Sequence, residues 1–299
     1  MKEKSRDYIH QKLHRAVMTL SEEISVFLCE HGIRHETVDI EDRHVVIAHT
    51  GSKSVHIIPV EISSEDIGNA ESESLKTGRC IDHIHSATGQ RPMIITEDRW
   101  RSQGQMTGSR LLAHLEIFTQ VYARNCEIRK IDKQTAAEFL NRNHSYGDAA
   151  CRYRYGLYLK RHTGHNAESR KHVNELIAVA TFSNARKWVK SDKTIRSYEW
   201  TRYASLPDLR ISGGMGRLMK AFIADVCPDD IMSYADLEWS EGNVYEALGF
   251  SLEGRKSPVA FSIDIHSWDR SPSIIQSCST RYFINFGSNK YRLKLTAYQ

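Results

Sequence analysis

The stretch RISGGMGRLMKAFI, Arg210–Ile223, constrains the fold more than any other. It places Gly213, Gly214 and Gly216 close together and then turns into a helical pattern, with Leu218, Phe222 and Ile223 recurring at helical spacing and Arg217 and Lys220 off that face. SYEWTRYAS, Ser197–Ser205, a strand pattern with an acidic residue, precedes it, and DIMSYAD, Asp230–Asp236, follows. Strand, glycine turn, helix and strand in that order require a sheet with a helix laid on its face. A helix N-terminus offers unpaired N–H groups and partial positive charge, and glycines ahead of it let an anion reach the backbone. The same glycines also suit a plain tight turn, so the spacing by itself leaves both readings open.

The rest of the chain fits around this unit. Apolar residues at Ile9, Leu13, Val17, Leu20, Ile24 and Leu28 predict an amphipathic helix over about Asp7–His31. Short strands are expected at Glu36–Ile40, His44–His49 and Val55–Ile62, then a loop and short helix in SSEDIGNAESESLKTG. A buried strand is expected at Pro92–Thr96 and a helix at Gly108–Val121. The pattern restarts with the strand CEIRKI and the helix KQTAAEFLNRN, which puts a domain boundary near Ala123–Cys126. RYGLYLKR and ELIAVATF read as antiparallel strands, GNVYEALGF as a helix, and VAFSIDI and RYFINFG as closing strands of the second domain. The fold class is α/β (α+β), with domains at 1–124 and 125–299.

Composition sets the broad class. The chain has 299 residues, 40% hydrophobic and 26% charged, which suits two ordinary globular domains. No apolar run approaches the roughly 18 residues of a membrane span, and the N-terminus lacks an apolar signal core, so a cytoplasmic protein without a membrane partner is expected. The six cysteines are scattered with no C-x-x-C pair, which argues against both a disulfide framework and a zinc site. Negative charge prevails up to Arg124 and positive charge beyond it, so an anionic ligand is expected at the second half.

The order of elements around the glycine turn, together with YEALGF at Tyr245–Phe250, resembles the GNAT superfamily of N-acetyltransferases. That family carries a pyrophosphate loop, Q/R-x-x-G-x-G/A, ahead of the helix. Arg210 and Gly213 match its start, and the next small residue falls at Gly216 rather than at position 215. The resemblance implies acetyl-CoA or another acyl-CoA as cofactor. Backbone from Gly213 through Gly214, Met215 and Gly216 to Arg217 would hold the pyrophosphate, with Arg210 adding charge. Tyr203 and Ala204 would pair with the pantetheine arm, and Asn243 would touch the cofactor. Tyr245 becomes the candidate acid for the leaving thiolate and Glu199 the candidate base. Acyl transfer to an amine needs both groups, and a donor for the developing oxyanion. Each residue also has a plainer role open to it: Tyr245 as sheet packing, Glu199 as a partner for Arg202.

Further stretches resemble a narrower, phage-associated group, in which an endonuclease-like domain related to very-short-patch repair and homing endonucleases is joined to a GNAT-like domain. They are ITEDRW, SRLLAHL, YARNCEIRKI, FLNRNHSYG, ATFSNAR and SYADLEWSEGNVYEALGF, in order along the chain. The resemblance implies a restriction-endonuclease-like first domain. Intact members carry an Asp on one strand and a Glu on the next. Here Asp39 is present and Ala48 takes the Glu position, so cleavage is expected to be lost, with Glu61 as the substitute carboxylate to consider. His83-x-His85, read on a strand, with His49 and His56 nearby, lacks a convincing third ligand, so no metal is expected. His144 is a candidate for the acceptor site or a cap for local backbone, and Asp236 is a second candidate base. Trp239 is either a ring that stacks on the acceptor or a packed cleft wall. The basic run Arg186, Lys187, Lys190 and Lys193 around Trp188 is either a nucleic-acid contact or a solvated loop.

These readings lead to an acyl-CoA-dependent N-acyltransferase whose acceptor is open, with a nucleobase or nucleic-acid-associated amine as one candidate. The alternatives are a non-catalytic DNA- or RNA-binding protein and a residual homing-type endonuclease.

Overall fold

The computed structural model describes residues 18–51, 53–161, 167–190, 193–240 and 242–296. Ile9, Leu13 and Val17 of the expected first helix lie outside them. The described helix, α1, is Leu20–Glu30. Thr19 caps it: its Oγ1 accepts from Glu22 N while Glu22 Oε2 accepts from Thr19 N at 2.8 Å. Next come β1 (Arg34–Ile40), β2 (Arg43–Thr50), β3 (Lys53–Val60), α2 (Ile67–Thr88), β4 (Met93–Thr96), α3 (Glu97–Ser102) and α4 (Gly104–His114). The sheet order is β1-β2-β3-β4, antiparallel until β4 joins β3 in parallel after the α2 crossover. Leu20, Ile24 and Leu28 pack on Val46, Ala48, Val55 and Ile57 to make this unit's core.

The second unit begins with β5 (Thr119–Tyr122), β6 (Cys126–Lys130), α5 (Lys133–Asn143), β7 (Tyr153–Leu159) and β8 (Leu176–Phe182). It continues with β9 (Arg186–Lys190), β10 (Lys193–Ser205), β11 (Leu209–Ser212), α6 (Gly214–Val226), β12 (Asp230–Asp236), α7 (Asn243–Ala247) and β13 (Ser251–Lys256). The chain then makes β14 (Ala260–Asp264), β15 (Arg270–Ser271) and β16 (Thr280–Ile284) before returning as β17 (Ser288–Lys294). The main sheet runs β13-β17-β12-β10-β8-β7-β6, with β9 paired to β10. It is mixed: β10 and β12 are parallel, and the other pairs are antiparallel.

Aromatic packing explains how α6 is held. Phe222 stacks on Phe182 at 3.9 Å and 3°, and Tyr153, Tyr155 and Tyr198 meet its edge. The opposite face carries α5, whose Ala136, Phe139 and Leu140 cover Val179 and Ala204. Asp132 starts α5 by accepting from Thr135 N at 2.8 Å.

The division into units differs from the expected 1–124 and 125–299. One unit runs to Glu116 and takes in Pro258–Phe286; the other comprises Ile117–Ser257 and the residues from Gly287 on. Two interactions cause this. Strand β5 pairs in parallel with β11, which draws residues 119–122 into the second unit. The stretch VAFSIDI to RYFINFG, expected in the second sheet, forms its own three-stranded sheet, β15-β14-β16, in the first unit. There Arg270 makes a bidentate bond to Asp98 at 2.8 and 2.9 Å, and Tyr282 N donates to Ser64 O at 2.9 Å. No described helix is long and apolar enough to cross a membrane.

Candidate functional site

The site is built where the main sheet parts. Strands β10 and β12 pair only over Ser197–Glu199 and Asp230–Met232. Beyond that point β10 stays with β8, through a register shift between Trp200 and Arg202, while β12 stays with β17. The closed end is pinned by charge. Arg292 Nη1 donates to Asp230 Oδ1 at 2.6 Å and to Ser197 Oγ at 3.1 Å, and the Asp230 side chain is 0% exposed. At the first unpaired step Ser233 replaces the ladder: its Oγ lies 3.0 Å from Trp200 O and 2.9 Å from the Tyr245 hydroxyl.

Tyr203 and Ala204 lie on β10 beyond this split, where β12 no longer covers the strand edge. The Ala204 side chain is buried against α5. Tyr203 meets Trp200 edge-on, and burial raises the pKa of its hydroxyl. That hydroxyl stands 3.2 Å from where a Cβ on Gly214 would be.

Each of the three glycines has a packing cause. Gly213, at φ 78, is the N-cap of α6 in the left-handed region. A Cβ on Gly214 would meet Ile211 at 2.9 Å, and one on Gly216 would meet Leu248 at 3.1 Å. No side chain caps the helix, and the first intrahelical bond is Arg217 N to Gly213 O at 3.0 Å. The N–H groups of Gly214, Met215 and Gly216 therefore precede the ladder, as an anion-binding turn requires. Arg217 does not join them. Its N–H is used by Gly213, and its guanidinium bonds Ala123 O and, at 2.8 Å, Cys126 O, so it braces the chain entering β6. Arg210 is exposed, with its guanidinium over the Phe118 ring. Asn243 is exposed at the start of α7.

The acid and base candidates fall on opposite faces of the sheet. Tyr245 packs on Trp200, Phe250 and Tyr291 on the α6 side. Burial raises its pKa, against the opposing hydrogen bond of Ser233. Glu199 alternates with Tyr198 and Trp200, whose rings face the α6 side, and so presents to the α5 side. Asp236 belongs to that side as well: its Oδ2 accepts from Tyr146 Oη at 2.7 Å, and its Oδ1 from Glu238 N. The half-buried Arg202 donates from Nε to Gly147 O at 3.0 Å, and burial depresses its pKa while Glu199 and Asp148 oppose that.

His144 Nδ1 accepts from Tyr146 N at 3.1 Å, so its ring caps local backbone and fixes the turn after α5. Asn141 Oδ1 accepts from Asp148 N at 2.9 Å, so the FLNRNHSYG motif folds into a turn that aims Tyr146 at Asp236. Tyr146 and Ser233 stand inside quoted stretches, FLNRNHSYG and SYADLEWSEGNVYEALGF, but neither is singled out by the sequence, and Arg202 enters there only as a partner for Glu199.

The nuclease-like and histidine candidates lie in the first unit. Asp39 lies opposite His44, and Ala48 opposite His35, four ladder steps or about 13 Å away. Ala48 is buried in the core, and Glu61 Oε1 accepts from Leu20 N, at the start of α1. His83 and His85 sit on helix α2, not on a strand; residues two apart on a helix point in different directions, and His83 Nδ1 meets Glu41 at 3.2 Å. In the second unit, the basic run from Arg186 is a strand, β9, in a hairpin with β10 rather than a loop.

No family model matches the chain, and no curated protein does either. Among solved structures it is similar to a GNAT-family acetyltransferase from Desulfovibrio desulfuricans, at 13% identity and a TM-score of 0.33, covering 57% of this chain and 99% of that one. The ribosomal-protein-S18-alanine N-acetyltransferase from Escherichia coli matches at 13% identity and TM-score 0.33, over 58% and 96% of the two chains. The spermidine N-acetyltransferase from Vibrio cholerae matches at 9% and 0.33, over 57% and 94%. Likenesses at this level do not assign the chain to a family.

Proposed function

We propose that the second unit transfers an acyl group from coenzyme A to an amine. The observation that carries this is the parted sheet, with Glu199 and Asp236 on one face and Tyr245 on the other. Acyl transfer needs that separation, because the amine loses its proton on one side of the reacting carbon while the thiolate gains one on the other.

The residues present fit the cofactor. The first turn of α6, without a side-chain cap, offers three N–H groups to a pyrophosphate, and the edge of β10 around Tyr203 and Ala204, which β12 leaves unpaired, offers backbone to an amide-bearing arm. When bound, the cofactor supplies the acyl group as a thioester. Glu199 takes the amine proton, with Asp236 as the alternative base held by Tyr146. Tyr245, kept protonated by burial, gives its proton to the departing sulfur.

Calorimetric titration with acetyl-CoA, beside a Gly214→Glu variant, tests the reading. Binding by the wild type and not by the folded variant supports it. No binding by the wild type rejects it.

For the first unit we propose a scaffold without phosphodiester chemistry, since Ala48, at the position expected to carry the second carboxylate, is core, and the strand paired with Asp39, Arg43–Thr50, carries no carboxylate. Metal-dependent cleavage of DNA that disappears in Asp39→Ala would overturn this.

A further inference from the structure

We propose that Ser233 is a positioning residue for acyl transfer: its hydroxyl holds Tyr245 at the point where the sheet parts and turns to the Tyr245 oxygen as that group gives up its proton. This rests on the function proposed above.

Ser233 is 2% exposed and sits one step beyond the last β10–β12 pair, Glu199 with Met232. Its Oγ reaches Trp200 O at 3.0 Å and the Tyr245 hydroxyl at 2.9 Å. A carbonyl only accepts, and a serine hydroxyl has one hydrogen. Ser233 Oγ is the donor in both contacts, so its single hydrogen serves either Trp200 O or the Tyr245 hydroxyl. The bond to Tyr245 orients the phenol. Stacking on Tyr291 at 5.4 Å and 24°, with edge contacts to Trp200 and Phe250, fixes the ring itself.

The arrangement changes when the reaction proceeds. The bond from the amine nitrogen to the acyl carbon forms, the carbon–sulfur bond breaks, and the Tyr245 proton goes to sulfur. A phenolate then remains in a buried place. The single Ser233 hydrogen can rotate from Trp200 O to the phenolate, where a charge-assisted bond is about twice as strong as a neutral one. Trp200 O loses a neutral partner in exchange. Ser233 thus exchanges no proton with the substrate, and it acts through Tyr245 alone. Tyr291, which faces Ser233 across the β12–β17 pair, donates instead toward Glu246 Oε1 at 3.4 Å and does not compete.

The experiment has two arms. In the first, a fluorinated tyrosine is placed at position 245 and its ionisation is followed by fluorine NMR in the full chain. Ser233→Ala should raise the ionisation point by about one pH unit, the loss of one hydrogen bond to a charged group, and Ser233→Thr should restore it. An unmoved ionisation in a folded Ser233→Ala protein overturns the proposal, whether or not the protein transfers acyl groups. In the second, acetyl-CoA turnover should fall about ten-fold in kcat for Ser233→Ala with KM for acetyl-CoA unchanged. The same change in a Tyr245→Phe background should cost nothing more; a further loss there overturns the proposal. A moved ionisation with no turnover by any form would reject the acyltransferase reading and leave the Ser233–Tyr245 coupling standing.

Discussion

Tyr245 makes the residue scale testable by pH. Burial raises its pKa above the ordinary tyrosine value of about 10, so the hydroxyl keeps its proton throughout the neutral range. Turnover should stay flat on the alkaline side up to at least that value, and Tyr245→Phe should lower kcat by about 10² or more. A group whose folded pKa is raised contributes fully below its unfolded value, near 10, and the contribution is lost as pH rises through the folded value. Alkaline unfolding monitored by circular dichroism should therefore begin at higher pH in Tyr245→Phe than in the wild type. Gly213 offers a test of backbone alone. At φ 78 an alanine costs about 1–2 kcal/mol, and its Cβ would meet only Ala123 at an ordinary 3.8 Å. Gly213→Ala should thus lower the urea midpoint without unfolding the protein.

Elements show a second kind of control, because Arg292 ties four strands together at the closed end of the split. It bonds Asp230 on β12, Ser197 on β10 and, at 2.7 Å, Glu253 on β13, from its place on β17. Arg292→Ala would leave the buried Asp230 carboxylate without its cation, at about 3–5 kcal/mol in denaturant unfolding. The Arg292 hydrogen bond holds the Glu253 pKa down to about 2 from 4.5, with Lys290 helping. A depressed carboxylate contributes fully above its unfolded value and loses that contribution as pH falls through the folded one. Stability should decline between about pH 4.5 and 2, and Glu253→Gln should flatten that part of the curve, as acid titration of tryptophan fluorescence would show. The sequence exposed some of these elements and hid others. The expected helix KQTAAEFLNRN is α5 to the residue, since its cap and its apolar face are both local. Strands β7, β8 and β12 are legible as largely buried runs, and β10 only over Ser197–Ser205, where Tyr198, Trp200 and Ala204 are buried. Helix α2 was read as loop and short helix, as its 22 residues bury only Ala70, Thr77, Cys80, Ile81 and Ile84. Strands β9 and β17 carry several charges, and β5 and β11 pair only with each other, so none has a local signature. The expected helix over Gly108–Val121 stops at His114, where Glu116 takes φ 65 and the chain turns toward β5. At the site, the glycine turn and YEALGF were visible as motifs. The parting of β10 from β12 was not, because it is a matter of where pairing ends.

The whole molecule turns on an excursion of the chain. Lys256 at the end of β13 pairs with Ser288 at the start of β17, so Pro258–Phe286 leaves and re-enters the second unit's sheet at neighbouring positions. Paired residues across an antiparallel ladder lie about 5 Å apart, a gap that a two-residue hairpin turn closes. Replacing residues 257–287 by an Asn-Gly turn should therefore leave the second unit's sheet, its split and its acetyl-CoA binding in place. The first unit should suffer instead. It would lose the Arg270 partner of Asp98, whose side chain is only 2% exposed, and the cover that Tyr282 and Ile284 give Ala70. Arg270→Ala isolates the ionic part of that loss, because it leaves a buried carboxylate unpaired, at about 3–5 kcal/mol. Native-state proteolysis separates the two units. Cleavage should appear within residues 20–116 in both variants and spare the segment from β6 to β12. Equal protection of both units in Arg270→Ala would mean that the buried pair does not hold the excursion, and that the apolar contacts of β16 suffice.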